Sequence, residues 1–204
     1  MRNGTYVVIA ALGGALLLAG CSGSASSSPA VPSLSQAAAS QGAAAGQATG
    51  SGRTAALHAA AQCIRQHGVP SYADPVLTPS GQVYSDSRSI QNSGQATLNA
   101  IRQACRTLMA QAGLNPEHEP PAPAQLVQTG VRAAECMRAH GLPNFHDPTA
   151  QSTYTPGHGF QLTLGEIPSG GKTDPTYLRA RQACNSAIAA EVRASTLASL
   201  GDDG

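Results

Sequence analysis

Cys63 and His67 stand four residues apart, and so do Cys136 and His140. That spacing puts both side chains of a pair on one helical face. Thiolate with imidazole is a ligand set for zinc or copper, and two such pairs would make a Cys₂His₂ centre. With the thiols oxidised, the donors left would be His67, His140, His146, His158 and the thioether of Met137. His146 and His158 have no counterpart in the first half of the chain, so a symmetric metal site reduces to His67 and His140. Acid–base chemistry would need Glu166 paired with Asp74 or Asp147, or a cleft gathering Asp147, His146 and Glu166. Turns are the commoner home of such carboxylates. No C-x-x-C or G-x-S-x-G is present, and Gly170-Gly171-Lys172-Thr173 lacks the first glycine of a phosphate-cradling loop. The expectation is a protein that is not an enzyme and carries no resident cofactor.

The elements that would position these residues come in two copies. Residues 63–75 read CIRQHGVPSYADP and residues 136–148 read CMRAHGLPNFHDP. Cys63, Arg65, His67, Gly68, Pro70, Asp74 and Pro75 match Cys136, Arg138, His140, Gly141, Pro143, Asp147 and Pro148. Downstream, Ile101-Arg-Gln-Ala-Cys105 matches Ala180-Arg-Gln-Ala-Cys184. Such self-similarity marks an internal duplication, with unit 1 over residues 53–120 and unit 2 over residues 121–200 of one domain. The phrase itself has the grammar of a helix stop: a glycine able to turn left-handed, then an apolar residue, then proline. Histidine in the last turn suits the helix dipole when protonated. Tyr72 and Phe145 would tuck back onto the core, and Arg65 and Arg138 would pair across the stop with Asp74 and Asp147.

Ahead of both copies, Tyr6 to Ala19 is apolar and ends in Leu18-Ala19-Gly20-Cys21. The tetrapeptide resembles the lipobox of bacterial lipoproteins. The resemblance implies a signal peptide over residues 1–20 and a covalent diacylglycerol on the Cys21 thiol. It also implies a mature chain anchored to the cell membrane on its extracytoplasmic face. Acyl chains of that kind anchor stably where a single chain is marginal. Residues 21–52 are nearly all Ser, Ala, Gly, Gln and Pro, a composition that cannot offset its ordering entropy and reads as a flexible tether.

With Cys21 lipidated, four cysteines remain in a compartment that permits disulfides. Four allow three pairings, and the duplication selects Cys63–Cys105 with Cys136–Cys184. Apolar residues at helical spacing precede Cys63 and Cys136 and run through both closing segments: Leu98, Ile101, Cys105, Leu108 and Ala112, then Tyr177, Ala180, Cys184, Ile188 and Val192. Asp174-Pro175 reads as an N-cap with proline at the first helical position. Gln82-Val83-Tyr84 and Phe160 to Leu164 alternate as strands do, so the second loop is expected to hold a small β-hairpin, paired with its counterpart from the first. The fold class is therefore mainly α: two tandem disulfide-braced helical hairpins with a small β-hairpin in the connecting loops.

Twelve Lys and Arg against eleven Asp and Glu, without a basic cluster, exclude nucleic acid as a partner. The phrase C-[IM]-R-x-H-G-[VL]-P-x-[FY]-x-D-P, followed by a helix bearing an alanine–cysteine pair, resembles an uncharacterised group of lipoproteins and secreted proteins of high-GC Gram-positive bacteria. There the phrase ends F-P-D-P; here Ala73 and His146 take the place of that proline, and the first unit lacks the Asp-Pro helix start. The resemblance covers both units and implies a membrane transporter or other envelope protein as partner. Function is expected to be binding, as an interaction or ligand-capture module on a lipid anchor, the alternative being a zinc- or copper-binding lipoprotein using His67 and His140.

Overall fold

Helix α1 (Gly50–Gln66) buries Leu57, Ala60, Ala61 and Ile64 along one face, the i, i+3, i+4, i+7 stripe of an amphipathic helix. The computed structural model describes residues 50–202. The signal peptide, Cys21 and nearly all of the tether expected from the sequence lie outside the described residues. The helix begins at Gly50, three residues inside the segment expected to be tether. Arg53 explains the early start, because its guanidinium donates to the carbonyls of Ala112 and Gly81 and so ties the first turn to two later segments.

After the stop come strands β1 (Val76–Leu77) and β2 (Val83–Tyr84), then helices α2 (Ser87–Gln91), α3 (Gln95–Ala104) and α4 (Arg106–Ala112). The second unit repeats the plan with α5 (Ala124–Ala139), β3 (Tyr154–Thr155), β4 (Gly159–Phe160), α6 (Pro175–Ala183) and α7 (Asn185–Ala194). Two 3-10 turns, Leu164–Glu166 and Gly171–Thr173, interrupt the second loop, and α8 (Leu197–Asp202) follows α7. Helix α1 packs on α4 and α5 packs on α7. Disulfides Cys63–Cys105 and Cys136–Cys184 cross these hairpins with Cα separations of 5.7 and 5.8 Å. The architecture is mainly helical, with two braced helical hairpins and two small antiparallel hairpins.

Two features depart from the sequence reading. Each closing segment was expected as one helix, yet each is broken at its cysteine: Cys105 ends α3 and starts α4, and Cys184 does the same for α6 and α7. Each break falls at the cysteine that is crosslinked to the opening helix. The strands also pair differently. Val76 lies opposite Tyr84 within the first loop, and Tyr154 opposite Phe160 within the second, so each loop closes its own sheet and, among the described residues, no pairing crosses between copies. The expected strand through Leu164 ends at Phe160 because a capping box claims the backbone beyond it. Glu166 accepts from the amide and hydroxyl of Thr163 at 2.6 and 2.9 Å, closing a tight turn.

The copies share a core. Tyr84 from the first hairpin packs with Leu126, Tyr154, Ala194 and Leu200 from the second half. Helix α8 lies against β1 and β2, so the last helix of the described chain seals the first copy's sheet. No helix among the described residues is long and apolar enough to cross a membrane.

Candidate functional site

The two helix stops are built alike. His67 and His140 follow the last helical residues, and Gly68 and Gly141 turn with φ of +112° and +99°. The amides of Val69 and Leu142 then reach back to the carbonyls of Ile64 and Met137, the six-to-one bond of a Schellman ending. Val69 and Leu142 are each 5 % exposed, so the apolar contact that accompanies this ending is present in both copies. Glycine is required there twice over. A Cβ on Gly68 would lie 2.8 Å from Cγ2 of Thr97, and one on Gly141 would lie 3.2 Å from Cγ2 of Thr176. Thr97 and Thr176 each precede the bridging cysteine by eight residues. The stop therefore packs on the start of its own closing helix.

A latch follows the stop. Arg65 donates to the carbonyl of Tyr72 and to Asp74, both at 2.9 Å. Arg138 donates to the carbonyl of Phe145 and to Asp147, both at 2.8 Å. His58 adds a second contact to Asp74 at 3.0 Å, whereas position 131 in the second copy is Val. Burial works against ionisation of Asp74, but Arg65 and His58 together hold its carboxyl below the ordinary range. Pro70 and Pro143 lie in the turn between stop and latch and are exposed.

Each histidine belongs to its own copy. Nδ1 of His67 lies 2.9 Å from the Cys63 carbonyl oxygen, and Nδ1 of His140 lies 2.9 Å from that of Cys136. Nδ1–H is therefore the donor in both, and Nε2 is the open nitrogen. Nδ1 also sits 3.7 and 3.9 Å from the sulfurs of Cys63 and Cys105, and 3.7 and 3.6 Å from those of Cys136 and Cys184. These are the two Cys–His–Cys groups with ligand-like spacing among the described residues. Their sulfurs are bonded to each other, so neither group offers the thiolates of a zinc site. The Cys₂His₂ centre conceived from sequence is replaced by two braced caps.

The carboxylates of the hydrolytic reading do come together. A cavity of about 300 Å³ is lined by His146, Asp147 and Glu166, with Glu191 alongside. All three are already engaged: Asp147 with Arg138, Glu166 with Thr163 and the amide of His146 at 3.0 Å, and the His146 ring with Glu166 at 3.6 Å. Burial would raise the Glu166 carboxyl, but the Thr163 and His146 donors outweigh it and hold it below the ordinary range. Glu166 is thus kept as a loaded hydrogen-bond acceptor. Glu191 differs: burial pushes its carboxyl up, against the pull of the Phe160 amide, which donates to it at 2.7 Å.

A larger cavity, about 560 Å³, adjoins the first and shares Phe145, Phe160, Leu162 and Glu191 with it. Met137, Tyr177 and Ile188 complete its apolar wall. Sequence reading missed Glu191 and the cationic residues around this cavity. The signal lay in the differences between copies aligned on their cysteines. The core positions Leu57, Ile101 and Ala112 of the first copy correspond to Gly130, Ala180 and Glu191 of the second. Compared with known proteins, the chain matches no family model, no curated protein and no solved structure.

Proposed function

We propose that this chain is a non-catalytic binding module held on the outer face of a bacterial cell membrane by a diacylglycerol on Cys21, beside a transporter or another envelope protein. The observation that carries the reading is the bridging of all four cysteines that follow Cys21 in the sequence, one bridge per copy. Disulfides of this kind belong to oxidising, extracytoplasmic compartments. The lipobox-like Leu18-Ala19-Gly20-Cys21 and the tether-like composition behind it agree with that address. In favour of binding over catalysis, Asp74, Asp147 and Glu166 each serve a latch or a cap. The test is membrane partition of the chain expressed in a host that processes lipoproteins. The expected result is an N-terminal peptide carrying a diacylglyceryl mass on Cys21, and release of the Cys21→Ala variant into the medium. A Cys21→Ala chain that stays in the membrane fraction would overturn the anchoring. The zinc or copper alternative has only Nε2 of His67 and His140 as open donors. One equivalent of metal on chelator-free protein, lost in the joint His67→Ala, His140→Ala variant, would establish it against the reading preferred here.

A further inference from the structure

The duplication supplies an internal control for what the second copy does. Aligned on the cysteines, the two copies carry different residues at the same positions, and at two of them, Phe145 and Glu191, the second copy lines a cavity. Leu57 and Ile101 are 1 % and 3 % exposed in the first core. Their counterparts Gly130 and Ala180 are far smaller; Phe160 and Pro148 close over Gly130, and Ala180 is fully buried, so the difference lies in which side chains wall the cavity. Tyr72 is 2 % exposed, whereas its counterpart Phe145 is half-buried and walls both cavities. Ala112, fully buried, is answered by Glu191, which stands in the cavity wall. Ile90 on α2 plugs the first core at 2 % exposure; on the same short helix, Arg88 turns instead to the rim of the second copy's cavity.

That rim is cationic. Arg88, Lys172 and Arg181 line the larger cavity, and their side-chain cations have no hydrogen bond or ion pair among the described residues. Those three cations share the lining with His158 and one carboxylate, Glu191, in a molecule whose formal net charge is only +1. A cavity of about 560 Å³ with an apolar patch (Met137, Phe145, Phe160, Leu162, Tyr177, Ile188) beside polar and cationic groups has the size of a small-molecule site.

Resting on the reading of the chain as a binding module, we propose that the second copy binds a small amphipathic anion. The apolar body would lie against Phe145, Phe160, Leu162 and Ile188, and the carboxylate, sulfate or phosphate head would meet Lys172, Arg181 and Arg88. The first copy contributes Arg88 and Gln91 to the rim.

The chain has no tryptophan, so one introduced indole reports the site. The test uses the full chain with both bridges intact and Cys21→Ser, and compares Leu162→Trp with Val83→Trp in the first copy's hairpin. Decanoate is titrated against decanol and decyltrimethylammonium. The expected result is a saturable emission shift at one decanoate per chain in Leu162→Trp and none in Val83→Trp. Decanol and the cation should bind at least tenfold more weakly. The joint Lys172→Gln, Arg181→Gln change should weaken decanoate at least tenfold and leave decanol unchanged. Calorimetry on the chain without either tryptophan repeats the comparison independently of the indole. Equal responses from both indoles, equal affinities for the three probes, indifference to the charge removal, or no saturable binding at all would each overturn the proposal. Because the chain tested is never anchored, such a failure leaves the membrane reading standing, and loss of the anchor in the partition test leaves this site standing.

Discussion

Gly68 and Gly141 carry out the same turn under different local pressure. Both hold positive φ, where a side chain costs about 1–2 kcal/mol. The approach to Thr97 is closer than that to Thr176, 2.8 against 3.2 Å. Gly68→Ala should therefore lower stability in urea by about 2 kcal/mol or more, and Gly141→Ala by roughly 1–2 kcal/mol. An equal loss at both sites would contradict the packing against the threonines. Glu166 gives a prediction with a pH signature. Its folded carboxyl is held below the ordinary range, so the stability it contributes is present above the unfolded pKa, near 4.5, and is lost as pH falls through the folded value. Glu166→Gln should cost about 1.5–3 kcal/mol at pH 7, the worth of hydrogen bonds to a charged acceptor. In denaturation measured from pH 7 down to 3, the gap to the parent chain should close. Burial raises Glu191, so the sign reverses: its contribution is present below the unfolded pKa and fades as pH rises. Glu191→Gln should then gain on the parent as pH rises from 4 to 7.

Helix starts differ between the copies, and the difference can be tested element by element. Asp174 caps α6, accepting from the amides of Thr176 at 2.8 Å and Tyr177 at 3.4 Å, with Pro175 at the first helical position. In the first copy Gly94 occupies the cap of α3 and supplies no side-chain bond. Asp174→Ala should cost about 1 kcal/mol, and Gly94→Asp should add a few tenths, since the site is open and φ is −70°. Thermal denaturation of the two variants would show opposite shifts. The cap at Asp174 was legible because Asp-Pro is a local signal. The breaks at Cys105 and Cys184 were not, because the periodicity of Leu98 to Ala112 runs through the cysteine unchanged and no local residue marks a stop there.

At the level of the whole molecule, covalent closure and the shared core act together. Each bridge closes a loop of 42 or 48 residues, which in the chain-entropy view stabilises by about 4 kcal/mol. Replacing Cys63 and Cys105 together with serine should lower the unfolding free energy by about 2–5 kcal/mol. The shared core predicts that damage at one end reaches the other. Leu200 is fully buried beside Tyr84, so Leu200→Ala should cost about 2–5 kcal/mol and speed amide exchange at Val76–Leu77 and Val83–Tyr84. Protection left intact in that hairpin would mean that α8 does not seal it. Read alone, the sequence determined the helical class, the two glycine stops, the pairing of the four bridged cysteines and the arginine–aspartate latches, because each is written in residues close in sequence or repeated in register. Tertiary structure alone decided which strands pair, where the closing helices break, and that the second copy opens a cavity beside Phe145 and Glu191. Those outcomes depend on volume and burial summed over segments far apart in the chain, and no local pattern carries that sum.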